Sequence, residues 1–425
     1  MKLLNAAVPS TFLTEGGAAD LTLVDITLDG GRIASVDRTA REMQGPASDG
    51  HDCAGGVVVP AFIDVHTHLD SVHIAARTGN ADGTFQSALS AVLHDRQTHW
   101  THEEILNRMN FAVEAAYAYG TAAIRTHVNA RRPLAEKSWS SFEALREMWA
   151  GKMTLQPASL SAIGELEGDL GPHFDEVARH KGVVGAFIYP MHGIAGRIEA
   201  VVAAAEDRGV DLDFHVDETL DPTSDHLADI AKAAIAVKFS GTITCGHCCS
   251  LMAMEEAKSA RILDLVAEAG IAIVSLPMCN QYLQHRDPAA RRTPRIRGGT
   301  LVHEMVARGI RVAFGSDNVC DPFYAYGDLD MAEVWREATR ILHLDHPVGD
   351  WPRAFSATPA AIMGLPDRDA IAPGAPADFV IFKGRSFGEH FARPLSERTV
   401  IRDGVIINPP IPDYERLDAL VGAPN

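Results

Sequence analysis

The chain has 425 residues, of which 46% are hydrophobic and 22% charged, and its formal net charge at pH 7 is −18. This length exceeds what one hydrophobic core usually covers, so we expect one large and one smaller domain. The strong negative charge repels phosphate backbones and anionic lipid surfaces, which argues against nucleic acid polymers and membranes as partners. A small molecule is the expected partner.

The cysteines predict a reducing, cytoplasmic location. The six cysteines lack the spacing of a small disulfide scaffold. Cys245 and Cys248 form a Cys-x-x-Cys pair, but no second pair follows, so small buried thiols are favoured over a redox or zinc site. The first nine residues contain one lysine and a short apolar run, unlike a secretory signal. No apolar segment approaches the roughly 18 residues of a membrane span.

Both chain ends predict short β-strands. Residues 21–36 alternate apolar and polar around Gly30-Gly31, and residues 398–407 do so around Asp403-Gly404, as hairpins do. Residues 373–382 add another strand. We therefore predict a β-sandwich domain from residues 1–59 plus 366–425, and a second domain from residues 60–365.

The middle of the chain alternates strand and helix patterns. Eight expected strands end near His68, His127, Leu160, Tyr189, Glu218, His247, Pro277 and Asp317. Eight strands with intervening helices over roughly 300 residues are typical of a (β/α)8 TIM barrel. A doubly wound open sheet is the alternative, but no glycine-rich dinucleotide fingerprint follows any of these strands.

Polar side chains collect where these strands end, which is where such a barrel places its chemistry. His66 and His68 are two residues apart, so in a strand both imidazoles leave on the same face. His215, His247 and Asp317 end three other strands. Each of them alone is compatible with a buried core histidine or a helix cap, but together they predict one site at the barrel mouth.

Glu218 follows His215 by three residues, so the two side chains would face opposite sides of a regular strand. The chain must therefore turn before Glu218 if both are to reach the same site.

These motifs resemble the amidohydrolase superfamily and, within it, the cytosine deaminase group. The superfamily resemblance rests on the segments Phe62–Asp70, His215–Glu218, Gly246–His247 and Phe314–Asn318. The narrower resemblance rests on Arg125–Val128, Asn280–Gln284, Arg297–Thr300 and Asp321–Tyr324. The similarity runs essentially from end to end.

The resemblance implies one divalent metal ion, Zn²⁺ or Fe²⁺, held by His66, His68, His215 and Asp317. Relatives with two metals use a modified lysine at the end of the fourth strand. That end contains Tyr189 and no lysine, which favours a single ion.

The resemblance also implies catalytic roles for Glu218, His247 and Asp317. A divalent cation lowers the pKa of bound water. Asp317 and His247 would accept a proton from that water and orient it. Glu218 would carry a proton to the ring nitrogen and then to the departing amine. The implied reaction is hydrolytic deamination of cytosine or a similar base such as isocytosine, 5-methylcytosine or isoguanine, with release of ammonia.

The sequence departs from cytosine deaminases where substrate is chosen. Asn318 and Phe323 are the expected substrate-binding residues, in place of an acidic residue and a tryptophan. An N-alkylamino-triazine aminohydrolase of the N-isopropylammelide type and a cyclic amide hydrolase are alternative enzymes, and a non-catalytic barrel is the alternative outside enzymes. We expect the chain to form a homo-oligomer.

Overall fold

The computed structural model describes residues 1–15, 19–39, 50–80, 82–131, 133–296, 298–393 and 397–422, so Arg297 lies outside the described residues. The strands are β1 (Lys2–Pro9), β2 (Leu21–Asp29), β3 (Arg32–Arg38), β4 (Gly50–Asp52), β5 (Val58–Pro60), β6 (Phe62–Thr67), β7 (Thr121–Asn129), β8 (Thr154–Ala162), β9 (Val184–Phe187), β10 (Leu212–Val216), β11 (Ile243–His247), β12 (Ala272–Ser275), β13 (Val312–Phe314), β14 (Phe379–Phe382), β15 (Arg398–Arg402) and β16 (Val405–Ile407). The helices are α1 (Ala75–Thr78), α2 (Phe85–Thr98), α3 (His102–Ala118), α4 (Ala135–Met148), α5 (Gly171–Arg179), α6 (Ile194–Arg208), α7 (His226–Val237), α8 (Glu256–Glu268), α9 (Pro277–Leu283), α10 (Val302–Val306), α11 (Met331–Leu342), α12 (Ala357–Ile362), α13 (Phe387–Ala392) and α14 (Asp418–Val421).

Strands β6 to β13 form one eight-stranded sheet in which each strand lies beside its neighbour in sequence. A parallel bridge between Thr67 and Asp317 joins the two ends of this sheet, and the Asp317 amide donates to the His66 carbonyl at 2.9 Å. Every residue of β6, β7 and β10 is buried, as expected for strands covered on both faces. The predicted (β/α)8 barrel is confirmed.

The chain ends form two further four-stranded sheets, with strand orders β3-β2-β1-β4 and β16-β15-β14-β5. Gly30 and Gly31 connect β2 to β3 with φ values of 53° and 78°, the left-handed region that a two-residue hairpin turn requires. Apolar side chains from both sheets, including Leu3, Ile26 and Phe379, share one core. The predicted small β domain built from both ends is therefore confirmed.

By its internal contacts the chain divides into two compact units. The first comprises Met1–Asp64, Glu114–Ala123 and Asp330–Ile411, and contains both terminal sheets. The second comprises Val65–Val113, Ile124–Leu329 and Pro412–Asn425. The domain boundaries expected from sequence, at residues 59/60 and 365/366, stay a prediction.

Among the described residues, none of the helices is both long enough and apolar enough to cross a lipid bilayer. The cytoplasmic location stays a prediction.

Buried His390 in α13 predicts a pH-dependent stability. Its ring packs against Trp335, Phe382 and Phe391 at centroid distances of 4.8, 4.5 and 4.8 Å. Burial, with a smaller effect of Arg398, lowers the pKa of His390 from 6.5 to about 3. Since the folded-state pKa is the lower one, the neutral ring contributes its full stability above about pH 6.5, and this stability is lost as the pH falls towards 3.

Replacing His390 by leucine is expected to remove this pH dependence. Between pH 7 and pH 5 the unmodified protein should lose about 2 kcal/mol more unfolding free energy than His390→Leu, since one pKa unit corresponds to about 1.4 kcal/mol. Urea denaturation at both pH values measures the difference. Equal losses in the two proteins would contradict the prediction.

Candidate metal and active site

Four segments bring the expected metal ligands together. His66 lies in β6, His68 follows β6, His215 lies in β10, and Asp317 follows β13. Asp317 Oδ1 is 3.6 Å from His66 Nε2 and 3.3 Å from His68 Nε2. His215 Nε2 is 3.1 Å from His68 Nε2. The predicted convergence of these four side chains is seen in the structure.

These spacings fit a metal ion. Nitrogen and oxygen ligands at about 2.0–2.1 Å from a tetrahedral ion are about 3.3 Å from one another, and the three distances above lie around that value. Both carboxylate oxygens of Asp317 and Nδ1 of His215 are buried without a hydrogen-bond partner among the described residues. Because a buried carboxylate without such partners is costly, a cation at this position would stabilise it.

The protonation states of the cluster suit metal binding. Burial lowers the pKa of His66, His127 and His215 well below the ordinary histidine value. The neutral imidazole that results is the form that ligates metals. Burial acts to raise the pKa of Asp317, but nearby His68 and His247 outweigh it, so that the pKa is lowered and the side chain stays a carboxylate.

Glu218 reaches the site because the chain turns sharply after β10. Asp217 has a φ of 52°, and its carboxylate accepts hydrogen bonds from Ser224 Oγ at 2.8 Å and from the Leu227 amide at 3.0 Å. Glu218 Oε1 then lies 3.6 Å from His247 Nδ1. The turn expected before Glu218 is confirmed.

Glu218 and Asp317 have pKa values shifted in opposite directions. Burial and the negative charge of Asp317 raise the pKa of Glu218 well above the ordinary carboxyl value. A pair of carboxyl groups whose pKa values are pushed apart can supply a proton donor and a proton acceptor in one site.

Two glycines allow the backbone to approach His66 closely. A Cβ built on Gly246 would lie 2.8 Å from His66 Cε1, and one built on Gly315 would lie 2.7 Å from the His66 carbonyl oxygen. Glycine at both positions therefore leaves room for the His66 side chain and carbonyl group.

Gly246→Ala is expected to weaken metal binding because its methyl group displaces the His66 imidazole. Substitutions that disturb the orientation of a metal ligand typically lower metal affinity about 10–100-fold. Competition with a chromophoric chelator would measure the affinity. Gly196→Ala in α6 is the matched control, since a Cβ there meets nothing within 4 Å. An unchanged Kd for the Gly246 variant would contradict the prediction.

The two expected substrate-binding residues differ in their surroundings. The Asn318 amide is already engaged, since Nδ2 donates to Asp321 Oδ2 at 2.7 Å and Oδ1 lies 3.7 Å from Cys279 Sγ. Phe323 is half-buried and packs edge-on against Phe85, with ring centroids 5.3 Å apart. Their roles towards a substrate stay predictions.

Sequence reasoning gave no role to two buried residues that contact the cluster. His127 Nε2 lies 3.2 Å from His66 Nδ1, and Asn280 Nδ2 lies 3.0 Å from His247 Nδ1. A signal for His127 was available, because it lies in a predicted barrel strand near its carboxyl end. Asn280 belongs to a segment of the cytosine deaminase resemblance, but its contact with His247 could not be predicted, because Asn280 lies on a short helix after β12.

The expectation of buried, unpaired thiols is confirmed for the Cys-x-x-Cys segment. Cys245, Cys248 and Cys249 are free and buried. Burial raises the pKa of each thiol above its ordinary value, which disfavours the reactive thiolate form.

Comparison with known proteins shows the family of this chain. A model described as the amidohydrolase family matches residues 173–407, more than half of the chain. The chain belongs to the amidohydrolase family. This amidohydrolase is 46% identical over 374 residues to a pterin deaminase of Rhizobium rhizogenes, and the match covers 88% of the chain and 85% of the relative.

Solved structures show the same fold. The 5-methylcytosine deaminase of Klebsiella pneumoniae, liganded with 5-fluorocytosine, superposes with a TM-score of 0.81 at 23% identity, covering 96% of this amidohydrolase and 97% of that chain. An atrazine chlorohydrolase from Arthrobacter aurescens TC1 complexed with zinc superposes with a TM-score of 0.68 at 19% identity, covering 99% of both chains.

Proposed function

We propose that this amidohydrolase hydrolyses the 2-amino group of a pterin and releases ammonia. The observation that carries the proposal is the convergence of His66, His68, His215 and Asp317 beside Glu218. The 46% identity to a pterin deaminase supports the substrate class. A pterin contains the 2-amino-4-oxo-pyrimidine ring of isocytosine, which is among the bases expected from the sequence, fused to a second ring.

The four clustered side chains would hold one Zn²⁺ or Fe²⁺ ion, both of which accept imidazole and carboxylate ligands. When bound, such an ion lowers the pKa of a water molecule so that it can act as a nucleophile near neutral pH. The zinc in the atrazine chlorohydrolase structure supports this choice of ion.

Glu218 is suited to deliver protons. Burial and the charge of Asp317 raise the pKa of Glu218, which favours the protonated form that can donate to the ring nitrogen next to the carbon under attack. The resulting carboxylate can take up the remaining hydroxyl proton of the added water and pass it to the departing amine, which leaves as ammonia. Asp317 remains ionised and can accept the proton of the attacking water.

A substrate panel tests the proposal. Ammonia release from pterin, isocytosine, cytosine, 5-methylcytosine and isoguanine would be followed with the zinc-loaded and the iron-loaded protein. We expect kcat/KM for pterin to exceed that for cytosine by about 100-fold or more, since hydrogen-bonding sites discriminate that strongly between ring systems. No ammonia from any base, or faster turnover of cytosine, would contradict the proposal.

Two further substrates test the alternative enzymes. Release of isopropylamine from N-isopropylammelide would favour the triazine aminohydrolase, and ring opening of dihydrouracil without ammonia would favour the cyclic amide hydrolase.

The homo-oligomer also stays a proposal. Size-exclusion chromatography coupled to light scattering would test it by measuring the molar mass in solution.

A further inference from the structure

Asn280 contacts the histidine that ends β11. It lies in α9, is 0% exposed, and places its Nδ2 3.0 Å from His247 Nδ1. Glu218 Oε1 is 3.6 Å from the same ring nitrogen, beyond the usual N–H···O range. The amide nitrogen of Asn280 is therefore the nearer polar partner of Nδ1.

The contact with Asn280 bears on the tautomer of His247. An amide NH₂ group only donates hydrogen bonds, so His247 Nδ1 must accept. A neutral imidazole carries a single N–H, which then belongs to Nε2. His247 Nε2 is buried and has no hydrogen-bond partner among the described residues.

Nε2 is the ring nitrogen of His247 that points away from Asn280, and the His247 ring is close to the metal-ligand cluster. Its centroid is 5.5 Å from that of His66 and 5.2 Å from that of His215. An N–H donor held in this way can stabilise an oxygen on which negative charge develops.

We infer that Asn280 is a positioning residue that holds His247 as the Nε2–H tautomer, so that His247 donates a hydrogen bond to the attacking oxygen instead of accepting its proton. This rests on the proposed function and revises the role expected from the sequence. The water oxygen bonds to the ring carbon, one water proton passes to the Asp317 carboxylate, and Glu218 protonates the ring nitrogen. The second water proton then reaches the amine through Glu218, and the carbon–nitrogen bond breaks as ammonia leaves.

Nitrogen-15 NMR of the zinc-loaded, histidine-labelled protein tests the tautomer without relying on turnover. His247→Gln assigns the two signals. We expect a pyridine-like shift for His247 Nδ1 and a pyrrole-like shift for Nε2. In Asn280→Asp, whose carboxylate can only accept, Nδ1 should become pyrrole-like. A protonated Nδ1 in the unmodified protein, or an unchanged Nδ1 signal in Asn280→Asp, would overturn the inference.

Kinetics provide the second test. Asn280→Leu should lower kcat on the order of 100-fold, the usual effect of losing one preorganised donor. KM should change less than about threefold, because the donor acts on an atom that is absent from bound substrate. Gln281→Leu, on the exposed part of the same helix, should leave both constants unchanged.

The two tests separate the two proposals. If the unmodified protein fails to deaminate any pterin but shows the expected tautomer, the proposed function fails and the assignment of the Asn280 contact stands. If pterin turns over and kcat of Asn280→Leu equals that of Gln281→Leu, the inference fails and the proposed function stands.

Discussion

Glu218→Gln is expected to lower kcat for pterin deamination by about 10³-fold, within the range of 10² to 10⁴ typical of a general acid and base. Glutamine keeps the length and polarity of the side chain but has no carboxyl proton to deliver to the ring nitrogen or the amine. Because Glu218 is not among the four clustered ligands, the variant should bind one metal ion per chain with unchanged affinity. Ammonia release and elemental analysis of the same sample measure both quantities.

The control for this variant is Glu268→Gln, which makes the same change at an exposed position at the end of α8. It should retain full activity. Turnover of Glu218→Gln within a few-fold of the control would show that Glu218 does not carry the proton, and the assigned role would be wrong.

Asp317→Ala is expected to abolish both metal binding and turnover. The substitution removes the only carboxylate of the four expected ligands, and Asp317 Oδ1 lies within 3.6 Å of the Nε2 atoms of both His66 and His68. Substitution of a residue that only hydrogen-bonds to a metal ligand typically lowers metal affinity about 10–100-fold. Loss of the ligand itself is expected to lower the affinity further. Metal content after dialysis and ammonia release by the same sample provide the measurement.

Asp264→Ala is the matched control, because the Asp264 side chain is 68% exposed in α8. It should bind metal and turn over substrate like the unmodified protein. An Asp317→Ala variant that still binds one ion per chain with full affinity would show that the ion is held elsewhere.

Local sequence patterns predicted the barrel and the positions of the expected ligands. The His66-Thr67-His68 spacing and the strand ends at His215, His247 and Asp317 depend on periodicity within a few residues. The structure adds the contacts between segments that are far apart in sequence. An example is the hydrogen bond from Thr67 Oγ1 to the carbonyl of Asp317, 250 residues further along the chain.

Other features could not be predicted because they depend on packing between distant segments. The contact of Asn280 with His247 joins a short helix to a strand end, and nothing in the surrounding sequence indicates it. Asn318 was expected to face the substrate, but its amide is engaged by Asp321, only three residues away. The choice between pterin and cytosine depends on the shape of the site, which no short motif specifies.

Titration of the metal-free protein with Zn²⁺ or Fe²⁺, followed by ammonia release from pterin, tests the central claim most directly. We expect activity to rise from a negligible level and to reach a plateau at one ion per chain, with the plateau abolished in Asp317→Ala. A plateau at two ions per chain, or full turnover by protein shown to contain no metal, would contradict a single metal centre built from His66, His68, His215 and Asp317.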